Sequence, residues 1–173
     1  MKKFLILFTL IIIILCSIKS ENVKIPKEAI RFRVIANSNT KEDQYIKKEI
    51  VKDLQQEINK LNIIPKSIEI NRSVIKENIE NYETTINNTL KRLNKKEVYK
   101  IEYGKHYFPS KEYNGVIYDE GEYESLVVEI GDAKGDNFWC VLFPPLCLLE
   151  GEDENKDSVE YKSFIKEIID KYF

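Results

Sequence analysis

The stretch G-D-N-F-W-C-V-L-F-P-P-L-C-L-L, residues 135–149, differs in composition from the rest of this 173-residue chain. It holds the single tryptophan and two of the three cysteines, in a chain otherwise rich in Lys, Glu, Asn and Ile. Residues 137–143 are dense in aromatic and β-branched side chains, which predicts a buried strand. Pro144 and Pro145 end this strand, because proline has no N–H to donate to a neighbouring strand.

A second strand is predicted upstream, where residues 29–36 alternate in character. Ile30, Phe32 and Val34 fall on one face, while Arg31 and Arg33 fall on the other. This alternation is typical of a half-buried strand with its arginines in water. The turn residues Asn-Ser-Asn-Thr follow, and Thr40 is predicted to begin a helix because Asp43 lies three residues later, in capping-box register.

Two amphipathic helices are predicted next. Apolar side chains recur at helical spacing from Ile46 to Leu61, and again from Ile75 to Leu93. Pro65 separates the two runs. We therefore predict an αα-hairpin packed on one face of a sheet.

After the helices, the spacing of apolar residues changes from the helical period to the two-residue period of a strand. Residues 98–107 and 123–130 alternate as strands do, and Gly104 is predicted to mark a bulge. Residues 111–121 are predicted to form a loop or a small hairpin. The strand at 123–130 is expected to pair antiparallel with the strand at 137–143. This order of elements predicts an α+β fold with an antiparallel sheet.

The chain divides into five predicted parts. Residues 1–20 form a signal peptide or an uncleaved membrane anchor, and residues 21–28 form a linker. Residues 29–149 form one extracytoplasmic domain of ordinary size. Residues 150–158 form an acidic linker, and residues 159–173 form a C-terminal amphipathic helix.

Export is predicted from the N-terminal segment. Lys2 and Lys3 precede an apolar run over residues 4–18, which is the layout of a secretory signal. Ser17 and Ser20 are three residues apart and do not make a clear cleavage site, so release and tethering both stay open. In either case the lysine pair stays inside and the body is expected to cross the membrane.

Charge and cysteine content narrow the classes of function. The chain has 27 Lys and Arg against 29 Asp and Glu, so its net charge of -2 argues against nucleic-acid binding. Cys16 lies in the leader, which leaves Cys140 and Cys147 as an even pair in an exported body. They are either bridged by a disulfide or buried as two free thiols.

A catalytic site has little support in the sequence. His106 is the single histidine, so any triad or metal site that needs histidine would have to use it. We predict no enzyme activity, no cofactor, no metal and no small-molecule substrate. The alternative is an exported envelope hydrolase in which Cys140 is the nucleophile and His106 the base.

Two features could instead serve recognition. Glu120, Glu122 and Glu124 alternate along one strand as either a solvated acidic edge or a surface that receives a partner, including a strand added by β-augmentation. Trp139 is either a core residue or an anchor for a partner or membrane surface, because interfaces are enriched in tryptophan.

Three segments together resemble a known family. They are I-R-F-R-V-I-A-N-S-N at residues 30–39, G-E-Y-E-S-L at residues 121–126 and G-D-N-F-W-C-V-L-F-P-P-L-C at residues 135–147. They closely resemble the stage II sporulation protein R family of endospore-forming bacteria. The resemblance extends from about Pro26 to Leu149 and does not include the C-terminal helix.

This resemblance implies a signalling protein made in the forespore and exported into the space between the two septal membranes. There, family members activate a membrane-embedded aspartic protease of the mother cell, which removes the pro-sequence of sigma-E. A protein of this kind contacts its partner through surface residues and has no catalytic site. The candidate contact residues are Asn137, Phe138, Trp139, Val141, Phe143, Pro144, Pro145, Leu146, Glu122, Tyr123 and Glu124.

Overall fold

A computed structural model of the chain describes residues 23–61, 67–113, 116–146 and 158–172. The strands are β1 (Val23–Lys24), β2 (Ile30–Ile35), β3 (Tyr99–Phe108), β4 (Lys111–Tyr113), β5 (Val116–Tyr118), β6 (Gly121–Ile130) and β7 (Asn137–Phe143). The helices are α1 (Lys41–Lys60), α2 (Ile68–Glu77), α3 (Ile79–Arg92) and α4 (Ser158–Tyr172). The predicted α+β class is confirmed.

Four strands form the main sheet in the order β3-β6-β2-β7. β2 pairs parallel with β6 and antiparallel with β7, while β3 and β6 pair antiparallel. The sheet is therefore mixed, and the prediction of an antiparallel sheet is wrong. The predicted pairing of β6 with β7 is also wrong, because β2 lies between them. β2 suits this inner position because it is buried on both faces.

One face of the main sheet, here called the helix face, is covered by α1, α2 and α3. Phe32 and Val34 of β2 share one apolar core with Leu126 and Val128 of β6 and with the apolar side of the helices. Full burial of such a side chain contributes about 1.5–3 kcal/mol, so this core is what holds the helices on the sheet. The main helical contributors are Ile46, Ile50, Leu54, Ile75, Tyr82, Ile86 and Leu90.

Helix α1 begins as predicted, with Thr40 as its N-cap. The Thr40 side-chain oxygen accepts a hydrogen bond from the backbone N–H of Asp43 at 3.2 Å, which satisfies one of the free N–H groups at the helix start. The Asp43 carboxylate in turn accepts hydrogen bonds from the side chains of Ser38 and Asn37. These bonds lower the pKa of Asp43, with the Ser38 hydroxyl as the largest cause.

The second predicted helix is divided into two. α2 ends at Glu77 and α3 begins at Ile79, and the side-chain amide of Asn78 donates to the carbonyl oxygen of Val74 at 2.8 Å. The predicted helix pair is formed by α1 and α3. Arg92 of α3 links them through ion pairs to Glu49 at 2.8 Å and Asp53 at 2.7 Å.

A smaller sheet of order β1-β5-β4 packs with α4 in a second core. Val141 of β7 joins this core, although its neighbours Cys140 and Leu142 point to the helix face. Because side chains alternate along a strand, the second core covers part of the opposite face of the main sheet. That face carries Arg31 and Arg33 and is called here the arginine face.

Several boundaries differ from the predictions. β1 and the buried side chain of Ile25 lie within residues 21–28, so part of the predicted linker belongs to the folded body. β4 and β5 pair antiparallel, which confirms a small hairpin within residues 111–121. The pairing of β3 with β6 runs without a shift past Gly104, so the predicted bulge is wrong.

The predicted signal or anchor, residues 1–20, lies outside the described residues, as does most of the acidic linker at 150–158. Of the four helices in the described ranges, none combines the length and the apolar character needed to cross a bilayer.

Candidate functional site

The three segments that carry the family resemblance become three adjacent strands. Residues 121–126 lie in β6, residues 30–35 form β2, and residues 137–143 form β7, in the spatial order β6-β2-β7. Arg31 lies opposite Ser125 in this register, and Arg33 lies opposite Trp139. The motif therefore forms the centre of the sheet and one of its edges.

The loops that follow β2 and β6 are also joined closely. The side-chain oxygen of Asn37 accepts a hydrogen bond from the backbone N–H of Asp132 at 2.9 Å. The backbone N–H of Gly135 donates a hydrogen bond to the Ala36 carbonyl oxygen at 2.9 Å. A Cβ added at Gly135 would lie 2.3 Å from the carbonyl oxygen of Ser38. Only glycine fits there, so the loop at residues 36–40 and the loop at residues 131–136 hold each other in a single arrangement.

Arg31 on the arginine face is buried, with only 1% of its surface exposed. Its guanidinium carbon lies 3.4 Å from the centroid of the Tyr123 ring, 5.2 Å from that of Phe108 and 5.8 Å from that of Tyr118. One nitrogen donates to the Asp119 carbonyl at 3.3 Å, while Nε and Nη1 find no acceptor among the described residues. Burial lowers the pKa of this arginine.

The prediction that both arginines face water is therefore wrong for Arg31. The two arginines do lie on the face opposite Phe32 and Val34, as the alternation predicts, but the second core covers this part of the arginine face. Arg33 is half-buried, and its guanidinium carbon lies 5.5 Å from the Phe108 ring centroid. One of its terminal nitrogens donates to the Tyr107 carbonyl at 3.3 Å.

Trp139 is half-buried on the same face. Its ring meets Phe108 edge to face, with the centroids 5.5 Å apart. The ammonium nitrogen of Lys111 lies 5.1 Å from the Trp139 ring, within the range of a cation–π contact. Trp139 is thus held by the fold on one side and reaches solvent on the other.

The residues predicted to contact a partner do not form one exposed surface. Trp139 lies on the arginine face, whereas Phe138 packs against the core of the helix face. The buried members are Val141, Phe143, Pro144, Leu146 and Tyr123. The half-buried members are Asn137, Phe138, Trp139, Pro145 and Glu124, and Glu122 is exposed. A contact role for these residues stays a prediction.

The predicted acidic edge is not an edge of the sheet. β6 is paired on both sides, so no further strand can add to it. Glu124 accepts two hydrogen bonds from Arg72 of α2, at 2.6 and 2.8 Å, and one from the Tyr103 hydroxyl at 2.8 Å. Glu124 therefore ties α2 to the sheet, and the hydrogen bonds from Arg72 are the main reason that its pKa is lowered.

Replacing Glu124 with glutamine should lower the free energy of unfolding at pH 7 by about 1–2 kcal/mol, because the charged hydrogen bonds to Arg72 are weakened. The folded-state pKa lies below the ordinary value, so this stabilisation is present above the unfolded pKa and is lost as the pH falls through the folded pKa. Urea unfolding between pH 3 and 7 measures the difference. The exposed neighbour Glu122, changed to glutamine, should have almost no effect; equal effects of both changes would contradict the assignment.

The Cys140–His106 pair needed for a hydrolase is not formed. Cys140 lies on β7 and His106 on β3, the two edges of the main sheet, and three strand spacings amount to about 14 Å. The two side chains also lie on opposite faces, since Cys140 packs in the helix-face core while His106 bonds Ser125. In addition, the Cys140 sulfur is in a disulfide bond.

His106 has different neighbours from those considered in the sequence. Its Nδ1 lies 2.8 Å from the Ser125 hydroxyl, and its Nε2 lies 3.9 Å from a Glu102 carboxylate oxygen. These are the residue types of a hydrolytic triad, but Ser125 is wholly buried, so its hydroxyl cannot meet a substrate. The histidine is thus a strand residue that satisfies a buried hydroxyl.

Cys147 lies outside the described residues, so the predicted pairing of Cys140 with Cys147 stays a prediction. The structure places Cys140 in the helix-face core beside β2, where its partner in the register is Phe32.

Comparison with known proteins gives one family. A family model described as Stage II sporulation protein R matches residues 26–153. The chain is also 37% identical over 134 residues to a Bacillus subtilis (strain 168) protein named Stage II sporulation protein R. That alignment covers 76% of this chain and 60% of the relative, so the chain spans less than two thirds of the length of the relative. No solved structure matches the chain.

Proposed function

Since this chain belongs to the stage II sporulation protein R family, we propose that it is an exported signalling protein of endospore formation. It acts in trans on a membrane-embedded aspartic protease of the mother cell, which then processes pro-sigma-E. The N-terminal segment, residues 1–20, delivers the body into the space between the two septal membranes, either released or tethered. The family match over residues 26–153 is the observation that carries this proposal.

The geometry supports a binding role over the rival hydrolase. Cys140 and His106 lie on opposite edges and opposite faces of the sheet, so they cannot act as nucleophile and base. The motif segments instead build three adjacent strands and a tightly bonded loop pair. Such a rigid body loses little conformational freedom when it binds, which favours recognition of a partner.

Activation by binding requires a difference in affinity. A ligand shifts a protease toward its active state only by as much as it binds that state more tightly than the inactive one. In this mechanism the protein acts as a rigid ligand, and the change of conformation takes place in the protease. Tethering by an uncleaved leader is compatible with this role, because the septal gap is narrow.

Reconstitution in a non-sporulating host tests the proposal. The protease and pro-sigma-E are expressed with and without this protein, and the substrate size is followed on a gel. We expect processing only when this protein is present and exported. His106→Ala should leave processing unchanged under the proposed role and abolish it under the hydrolase alternative.

Cys140→Ser and Cys147→Ser serve as further arms, since equal losses in both would support a bridge between them. Absence of processing with all three proteins present, and with the body exported, would contradict the proposed function.

A further inference from the structure

Four side chains from different strands form one cluster on the arginine face. They are Arg33 of β2, Phe108 of β3, Lys111 of β4 and Trp139 of β7. Phe108 and Trp139 form an edge-to-face aromatic pair, with Arg33 beside the first ring and Lys111 over the second. We call this set the cation–aromatic surface.

Both cations of this surface lack an ion-pair partner among the described residues. Glu129 acts on Arg33 electrostatically without pairing with it, and burial lowers the pKa of that arginine. The buried Nε of Arg33 has no hydrogen-bond acceptor in the described part of the chain. Lys111 is exposed, and its ammonium nitrogen lies 5.1 Å from the centroid of the Trp139 ring. Two positive charges therefore stand beside a solvent-facing tryptophan without acidic neighbours bound to them.

We propose that the cation–aromatic surface binds an acidic segment of the partner protein, with carboxylates at Lys111 and Arg33 and an apolar side chain against Trp139. The inference rests on the proposed function and names the chemistry by which the protease is recognised. Tryptophan and arginine dominate the centres of protein interfaces, and complementary charge speeds and orients association.

A protein partner fits this surface better than an anionic membrane does. Trp139 is half-buried against Phe108, so it cannot insert deeply into a bilayer without losing that contact. A side chain of a protein partner can pack on the exposed side of Trp139 and leave its contact with Phe108 in place.

Lys111 is the residue of choice for the test because it is exposed and its change leaves the core intact. Purified protease in detergent and pro-sigma-E are titrated with full-length protein at two salt concentrations. Lys111→Glu should raise the dose for half-maximal processing about tenfold or more, while Lys111→Arg should stay within about twofold, because reversal of one interface charge is a change of this size. The wild-type dose should rise with salt, and that salt dependence should shrink in Lys111→Glu.

Lys105→Glu is the matched control, since Lys105 is an exposed lysine of β3 that lies on the other face of the sheet. It should activate at the wild-type dose. Trp139→Leu should raise the dose about thirtyfold if its melting curve matches the wild type, as expected for an interface anchor.

Each outcome is decisive. Lys111→Glu acting at the wild-type dose, while the wild type itself works, overturns the cation–aromatic surface and leaves the proposed function standing. Wild-type protein that never yields processing overturns the proposed function and this inference with it. A Lys111-dependent sedimentation with phosphatidylglycerol vesicles, combined with unchanged processing in detergent, would assign the surface to the membrane instead.

Discussion

Replacing Gly135 with alanine is expected to lower the free energy of unfolding by about 3 kcal/mol, at the upper end of the range for overpacked sites. The new Cβ would lie 2.3 Å from the carbonyl oxygen of Ser38 and 2.9 Å from the Cβ of Ala36. Neither group can rotate away, because one is a backbone atom and the other is bonded directly to the backbone of the loop that follows β2. Separation of the two loops is therefore required. Urea denaturation followed by tryptophan fluorescence measures the change.

Gly104→Ala is the control for this prediction. The added Cβ would meet only the His106 ring, at an ordinary 3.8 Å. The change should leave stability the same or raise it by about 0.5 kcal/mol, since glycine within a strand is itself unfavourable. A Gly135→Ala protein as stable as Gly104→Ala would show that the loops at residues 36–40 and 131–136 do not pack as described.

Replacing Arg31 with alanine is expected to lower the free energy of unfolding by about 3 kcal/mol, because a cavity is left between the rings of Tyr123, Phe108 and Tyr118. Arg31→Met should lower it by less than about 1 kcal/mol, since methionine fills similar space and a buried charge without a carboxylate contributes little net stability. Thermal and urea unfolding of both variants show whether Arg31 stabilises the fold through the volume of its side chain or through its charge. If methionine is as damaging as alanine, the guanidinium itself holds the second core in place.

The sequence was sufficient for the elements whose signal is local. The strand at residues 137–143 was predicted with the bounds that the structure has, because a dense apolar run and the Pro-Pro pair mark its course and its end. The Thr40 cap and the amphipathic stripe of α1 are also local patterns. Asn78, by contrast, divides the second helical run without any proline or glycine signal.

The candidate site was only partly predictable. The unusual composition of residues 135–149 singles out Trp139 as a candidate. Its neighbours Lys111 and Arg33 come from strands distant in sequence, and no sequence pattern indicates that they lie beside it. The sequence places Glu124 in a row of solvent-facing glutamates. Alternation along a strand shows which side chains share a face, but it does not show whether another element covers that face. The partner of Glu124, Arg72, lies 52 residues away on another element.

By itself, the sequence determined the main strands and helices, which side of each is apolar, and the family, because those signals are carried by neighbouring residues. It did not indicate β1 or the division of the second helical run at Asn78. Tertiary structure alone decided that β2 lies between β6 and β7, that Arg31 is buried, and that Cys140 and His106 are far apart. The physical reason is that strand order and burial follow from long-range packing, in which a strand buried on both faces gains most at the centre of the sheet.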